Sequence, residues 1–351
     1  MRNQLIAKID VRHLAKHIFA SMIVACIIGP LPHVACAQEK SDIRESPAAI
    51  QAATLTGVVS SAQNPLQLAT LRWYNANQTT SFPVGNEPRG VAFDGASIWV
   101  ANFSDATVTK LRASDGTNLG TFAVAGTAYA VAFDGANIWV ADNSAGAVTK
   151  LRASDGTNLG TFSVGVPVSN PGGLAFDGAN VWVTSGSYVT KLRASDGATL
   201  CVVPVGGVNQ RIAFDGTNIW AANSSLGAVV KLRGSNCAVL GQFAVGVGPT
   251  GVAFDGTNIW VSNGQGNSVT KLNTSGTIQG TFAVGSSPGD VAYDGANIWV
   301  ANFSSNSVTK LRASDGTNLG TFLAGTGPEA LAFDGANIWV ANVTSNDISK
   351  L

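Results

Sequence analysis

An aspartate followed by glycine recurs seven times along the chain, as Asp94, Asp134, Asp177, Asp215, Asp255, Asp294 and Asp334. Carboxylates at such regular spacing invite a calcium reading, but these turns lack the dense alternating oxygen ligands that a calcium loop needs. Asp-Gly is also a turn former in its own right, so the series reads as structural. Lys110, Lys150, Lys191, Lys231, Lys271, Lys310 and Lys350 form a second series, and Asp115, Asp155, Asp196 and Asp315 a third. Opposite charges at constant spacing are expected to pair on the surface, each pair worth about 0 to 1 kcal/mol. No Gly-x-Ser-x-Gly elbow, phosphate-binding loop or Cys-x-x-Cys pair is present. Histidine, the usual general base near neutral pH, occurs only at His13, His17 and His33. Chemistry is therefore left to residues that break the repetition. Arg211 and Asp290 replace a small residue just before a first strand, Glu329 is a further acid near the channel, and Cys201 and Cys237 are the two cysteines beyond residue 37. No metal site or cofactor is expected.

The elements that must position these residues follow from the repeats. The motif [VLI]-A-[FY]-D-G is followed each time by a tryptophan, at Trp99, Trp139, Trp182, Trp220, Trp260, Trp299 and Trp339. LRASDGTNLGTF stands letter for letter at 111 to 122, 151 to 162 and 311 to 322. Each unit of about 40 residues alternates with period two and is broken by Gly or Asp-Gly, which gives four short strands rather than helices. Seven such units predict an all-β fold, a seven-bladed β-propeller of four-stranded antiparallel blades. The last unit lacks its fourth strand, and LRWYNANQTTSFPVG at 71 to 85 aligns without gaps on 111 to 125. An N-terminal strand is thus expected to complete the C-terminal blade and close the ring. Verbatim repetition serves packing, because each blade must match its neighbours.

These units resemble the YVTN and NHL-type repeats of seven-bladed propellers in exported bacterial and archaeal proteins, over residues 70 to 351, with the naming strand spelled IWVAN or VWVTS. The resemblance implies the fold and an envelope setting, and it leaves function open, since propellers host unrelated activities. Streptogramin lyases and lactonases share the architecture. The lyase types use histidine, which residues 38 to 351 lack, and lactonase-type sites gather carboxylates and asparagine around a metal, where this chain offers Asp290 and Glu329.

The N-terminus carries Arg2, Lys8, Arg12 and Lys16, then the apolar run IFASMIVACIIG and Ala35-Cys36-Ala37. Residues 1 to 37 are expected to be a signal peptide, the run being too short to span a bilayer, with lipidation at Cys36 the alternative. Residues 38 to 69 read as a linker. Without the first 37 residues the chain loses four basic residues and one acid, leaving a net charge of −3. Such a chain offers no footprint for nucleic acid. The protein is expected to be an exported monomer that is periplasmic, on the cell surface or extracellular.

Divergence falls on one face, in the loops between second and third strands and those leading into the next blade, where a binding surface would be grafted. Phe103, Phe303 and Val343 follow register asparagines in blades one, six and seven and form a candidate contact patch, joined by Tyr188, Arg211 and Asp290. In an oxidising compartment Cys201 and Cys237, near the outer turns of adjacent blades, are expected to form a disulfide. The function expected is a non-enzymatic binding or scaffold module for a protein or cell-envelope ligand. The alternatives are a metal-dependent lactonase-like hydrolase or lyase and a surface-layer spacer.

Overall fold

The computed structural model describes residues 80 to 165 and 170 to 351. The expected signal peptide, the linker, most of the closing segment and the lengthened loop before blade three lie outside the described residues. The remainder forms 28 strands, numbered here in chain order, in seven four-stranded antiparallel sheets. Each blade begins with an innermost strand: β2 (Pro88–Phe93), β6 (Ala128–Phe133), β10 (Pro171–Phe176), β14 (Asn209–Phe214), β18 (Pro249–Phe254), β22 (Pro288–Tyr293) and β26 (Pro328–Phe333). These strands pack side by side around the ring, and β2 meets β26 to complete it. Among the described residues no helix is long and apolar enough to cross a membrane.

Closure is made as the repeats require. Strand β1 (Thr80–Pro83) pairs antiparallel with β28 (Asp347–Lys350), with Phe82 opposite Ile348. Phe82 then does in blade seven what Phe122 does in blade one. Its ring lies 5.5 Å from Trp339, as Phe122 lies 5.5 Å from Trp99. At five junctions among the described residues the far side of such a phenylalanine covers the glycine of the next blade's outer turn, as Phe122 covers Gly156. A Cβ on Gly116 (φ +74°) would stand 2.0 Å from Phe82, so both backbone conformation and space demand glycine there.

Blade three departs from this contact. Val203 stands where the phenylalanine would be, Cys237 (φ 64°) occupies the glycine position of blade four, and Cys201 is bonded to it across the blade junction at 1.99 Å. One substitution, Val203, opens a gap, and the two that fill it, Cys201 and Cys237, are joined covalently; all three pack together against the core around Trp182.

The Asp-Gly series is structural in a specific way. In every blade the aspartate Oδ2 accepts the indole N–H of the tryptophan five residues on, at 2.7 to 2.8 Å. Its Oδ1 accepts backbone N–H groups of the turn, as Asp94 does from Ala96 and Ser97. Burial alone would raise these carboxyls, yet the indole and the turn donors together hold Asp134, Asp177, Asp215, Asp255, Asp294 and Asp334 below the usual carboxylate range.

The expected surface pairing of the lysines is not what the fold makes of them. Each Nζ sits over its own blade's tryptophan at 4.6 to 5.1 Å. Six of them donate to a backbone carbonyl of the following blade's outer turn, from Lys110 to Ala153 at 2.6 Å round to Lys350 to Ala113 at 2.8 Å. The tryptophan face and a neighbouring carbonyl compensate the largely desolvated ammonium, and Lys191 also pairs with Asp177 at 3.6 Å within its blade. The outer-turn aspartates pair instead with the arginine three residues before them, Arg112 with Asp115 at 3.0 Å among them.

Candidate functional site at the centre of the variable face

Each innermost strand carries a β-bulge at its start, where the register to the second strand slips, between Pro88 and Gly90 in β2 and between Pro328 and Ala330 in β26. The same slip occurs in all seven blades. A bulged residue has no cross-strand partner and its side chain can be turned out of the ladder. The residue at that point is Arg89, Tyr129, Gly172, Gln210, Thr250, Gly289 and Glu329 in blades one to seven. The next residue is glycine or alanine except at Arg211 and Asp290, and after it the strands return to the near-constant V-A-F-D-G pattern.

These residues converge. Tyr129, Gln210, Thr250, Gly289 and Glu329 line a cleft of about 430 Å³ together with Arg211, Ser224, Gly264, Gln265, Ser287 and Phe303. Its floor is ionic. Arg211 reaches from blade four across the ring and donates Nη2 to the Arg89 carbonyl at 3.0 Å, while its Nε lies 3.4 Å from Asp290 of blade six. Arg89 pairs with Glu329 at 3.3 Å and with Glu87 at 3.6 Å. Asp290 also accepts the Leu331 N–H at 3.1 Å. Burial pushes the Asp290 and Glu329 carboxyls upward, opposed by Arg211 and Arg89, and pushes the Tyr129 phenol upward with help from Glu329. Burial alone would lower the Arg211 guanidinium, but the charges of Asp290 and Glu329 prevail and raise it.

One wall is aromatic. The Tyr129 ring meets Phe103 edge-on at 6.0 Å, and the Arg89 guanidinium lies 4.8 Å from the Phe103 centroid and 5.8 Å from that of Tyr129. Phe303, 37% exposed, belongs to the lining itself. The opposite side is low and polar. At the rim position held by Phe103 and Phe303, blades four and five carry Ser224 and Gly264. Beneath them the Thr250 hydroxyl contacts the Ser262 hydroxyl at 2.9 Å and the Pro288 carbonyl at 2.8 Å.

The residues singled out from the sequence divide accordingly. Arg211, Asp290, Glu329, Phe103 and Phe303 come together at this centre. Val343 is buried, 7% exposed, with its N–H on the Gly327 carbonyl. Tyr188 begins β12 (Tyr188–Arg193) beside the short Gly186–Ser187 turn and does not line the cleft. The register asparagines lock loops, as Asn102 accepts from the Gly85 N–H and donates to Thr107 and Thr109. Sequence reasoning passed over Arg89, Tyr129, Gln210 and Thr250. Their signal was available: the bulge position changes from blade to blade while the rest of the strand hardly does. Among the described residues no three His, Cys, Asp or Glu side chains are grouped to hold a metal.

No protein-family model matches the chain, and no curated protein matches it. Solved structures do match in shape. A streptogramin B lyase structure aligns with a TM-score of 0.68 at 19% identity, over 78% of this chain and 96% of that one. A catalytically inactive histidine-to-alanine variant of virginiamycin B lyase from Staphylococcus aureus, with quinupristin, aligns at 0.67 and 18% identity, over 78% and 98%. Kuenenia stuttgartiensis hydrazine synthase aligns at 0.68 and 17% identity, over 77% and 96%. At such identities the likeness establishes a shared fold, so the chain is a seven-bladed β-propeller by architecture.

Proposed function

We propose that this protein is an exported binding module that holds a cell-envelope ligand in the cleft at the centre of its variable face. The observation that carries the reading is the bulge position. In a chain whose blades otherwise repeat nearly verbatim, this position holds Arg89, Tyr129, Gln210, Thr250 and Glu329 in different blades, and four of these five line one cleft. Packing between like blades gives no reason for such variety, whereas a ligand contacted from several blades requires it. The charged N-terminal segment followed by an apolar run supports export. Binding is favoured over catalysis because residues 38 to 351 contain no histidine and the two central acids are each engaged by an arginine.

The test is capture from fractionated envelope extract by the immobilised full chain beside a Ser224→Phe variant. That substitution places in blade four the side chain that Phe303 carries at the same position, so the fold accommodates it and the cleft is filled. Retention of a ligand by the parent chain and loss by the variant supports the reading. Equal retention moves the site off the cleft. Hydrolysis of a lactone panel, abolished by chelator, would replace binding with the metal-dependent alternative.

A further inference from the structure

Resting on that assignment of the cleft, we infer that its ligand is a neutral saccharide. Three features of the lining point there. Charges in the floor are matched within the protein, Arg211 with Asp290 at 3.4 Å and Arg89 with Glu329 at 3.3 Å; the Arg89 Nε lacks a hydrogen-bond partner but is buried, so neither guanidinium presents an unpaired charge to a phosphate or carboxylate. The polar side chains above that floor include Gln210, Ser224, Thr250, Gln265 and Ser287. Each can both donate and accept a hydrogen bond, which is the character of a sugar hydroxyl and not of an anion or a cation. Finally, Tyr129 and Phe303 supply aromatic surface. A ring face carries negative charge density that favours the C–H face of a pyranose, while the sugar's edge hydroxyls remain free for the amides and alcohols.

The site is prepared for a flat ligand before one arrives. Phe103 at 6.0 Å and Arg89 at 5.8 Å fix the Tyr129 ring from one side. Gly264 and Ser224 leave the opposite rim low, so a chain of rings can extend outward over blades four and five. The cleft volume of about 430 Å³ falls within the range of small-molecule sites.

Calorimetric titration of the full chain with maltotriose, cellotriose and triacetylchitotriose, beside trigalacturonate and triglucosamine, tests the inference. Binding of at least one neutral trisaccharide is expected, with a Kd on the order of 1 mM or tighter. Tyr129→Ala and Phe303→Ala should each weaken it by about tenfold or more, a loss of roughly 1.4 kcal/mol. Tyr129→Phe, which keeps the ring and guards against a folding defect, should weaken it less. Preference for either charged trisaccharide, abolished by Ser224→Phe, overturns the neutral assignment while leaving the cleft as the site. No binding of any neutral trisaccharide at about 10 mM, far above that Kd, also overturns it. In that case cleft-dependent capture from envelope extract still decides the broader reading independently.

Discussion

At the scale of single residues, Asp142 is the exception among the register positions. Where blades one, four, five, six and seven carry asparagine, blade two carries an acid that is fully buried and accepts the Thr149 hydroxyl at 2.5 Å. Burial pushes its pKa up to about 7, only partly offset by that hydroxyl. Because the folded pKa lies above the unfolded one, the native state binds the extra proton between about pH 4 and 7, and stability falls as pH rises through that window. Asp142→Asn should therefore match the parent below about pH 4 and exceed it above about pH 7, by on the order of 4 kcal/mol. Denaturant unfolding of both chains across the range checks this; equal slopes against pH would contradict it. Lys110 makes a second prediction. Lys110→Met keeps the stem over Trp99 but leaves the Ala153 and Ser154 carbonyls without their donor, and should cost about 1 to 3 kcal/mol.

At the scale of elements, the blade junction is the unit of stability, and junction three to four shows two solutions to one problem. At five other junctions a phenylalanine covers a glycine; at this junction Cys201 and Cys237 are bonded, with Val203 beside them. Replacing both cysteines with alanine should cost about 2 to 4 kcal/mol, since a chemical link is lost and no ring fills the space. The triple change Cys201→Gly, Val203→Phe and Cys237→Gly should recover part of that loss by rebuilding the contact found at the other junctions. Thermal unfolding under oxidising conditions distinguishes them, and a triple variant no better than the double would show that the junction is not interchangeable. Much of this was legible in the sequence: the strands from period-two alternation, the turns from Asp-Gly, the disulfide positions from alignment of the units. The lysines were not, because a repeated charge looks the same in a linear chain whether it meets solvent or a neighbour's carbonyl. Nor were the bulges, which depend on register between strands. Their variable residue lies one position from Arg211 and Asp290, which drew notice because they replace glycine or alanine. Arg89 and Tyr129 stand at a position that itself changes from blade to blade, so only that variation marks them, and neither departs from a constant residue.

At the scale of the whole molecule, the ring depends on a contact between its two ends. Strand β1 supplies Phe82 to Trp339 and Gly116, and Lys350 supplies its ammonium to the Ala113 carbonyl. Phe82→Ala should cost about 3 kcal/mol, as for other large core truncations, and should raise protease sensitivity first at the junction of blades seven and one. Early cleavage elsewhere would contradict that. The cleft depends on closure too, because it is assembled from five blades and its floor is tied across the ring by Arg211 reaching the Arg89 carbonyl. Such a cleft exists only while the ring is shut. A hydrogen-exchange footprint of the full chain with and without its captured ligand tests the cleft as the binding site most directly. Exchange should slow at residues 210 to 211, 248 to 250, 287 to 289 and at Phe303, and remain unchanged in the outer turns. Slowing confined to the outer strands or the opposite face would contradict the cleft as the site.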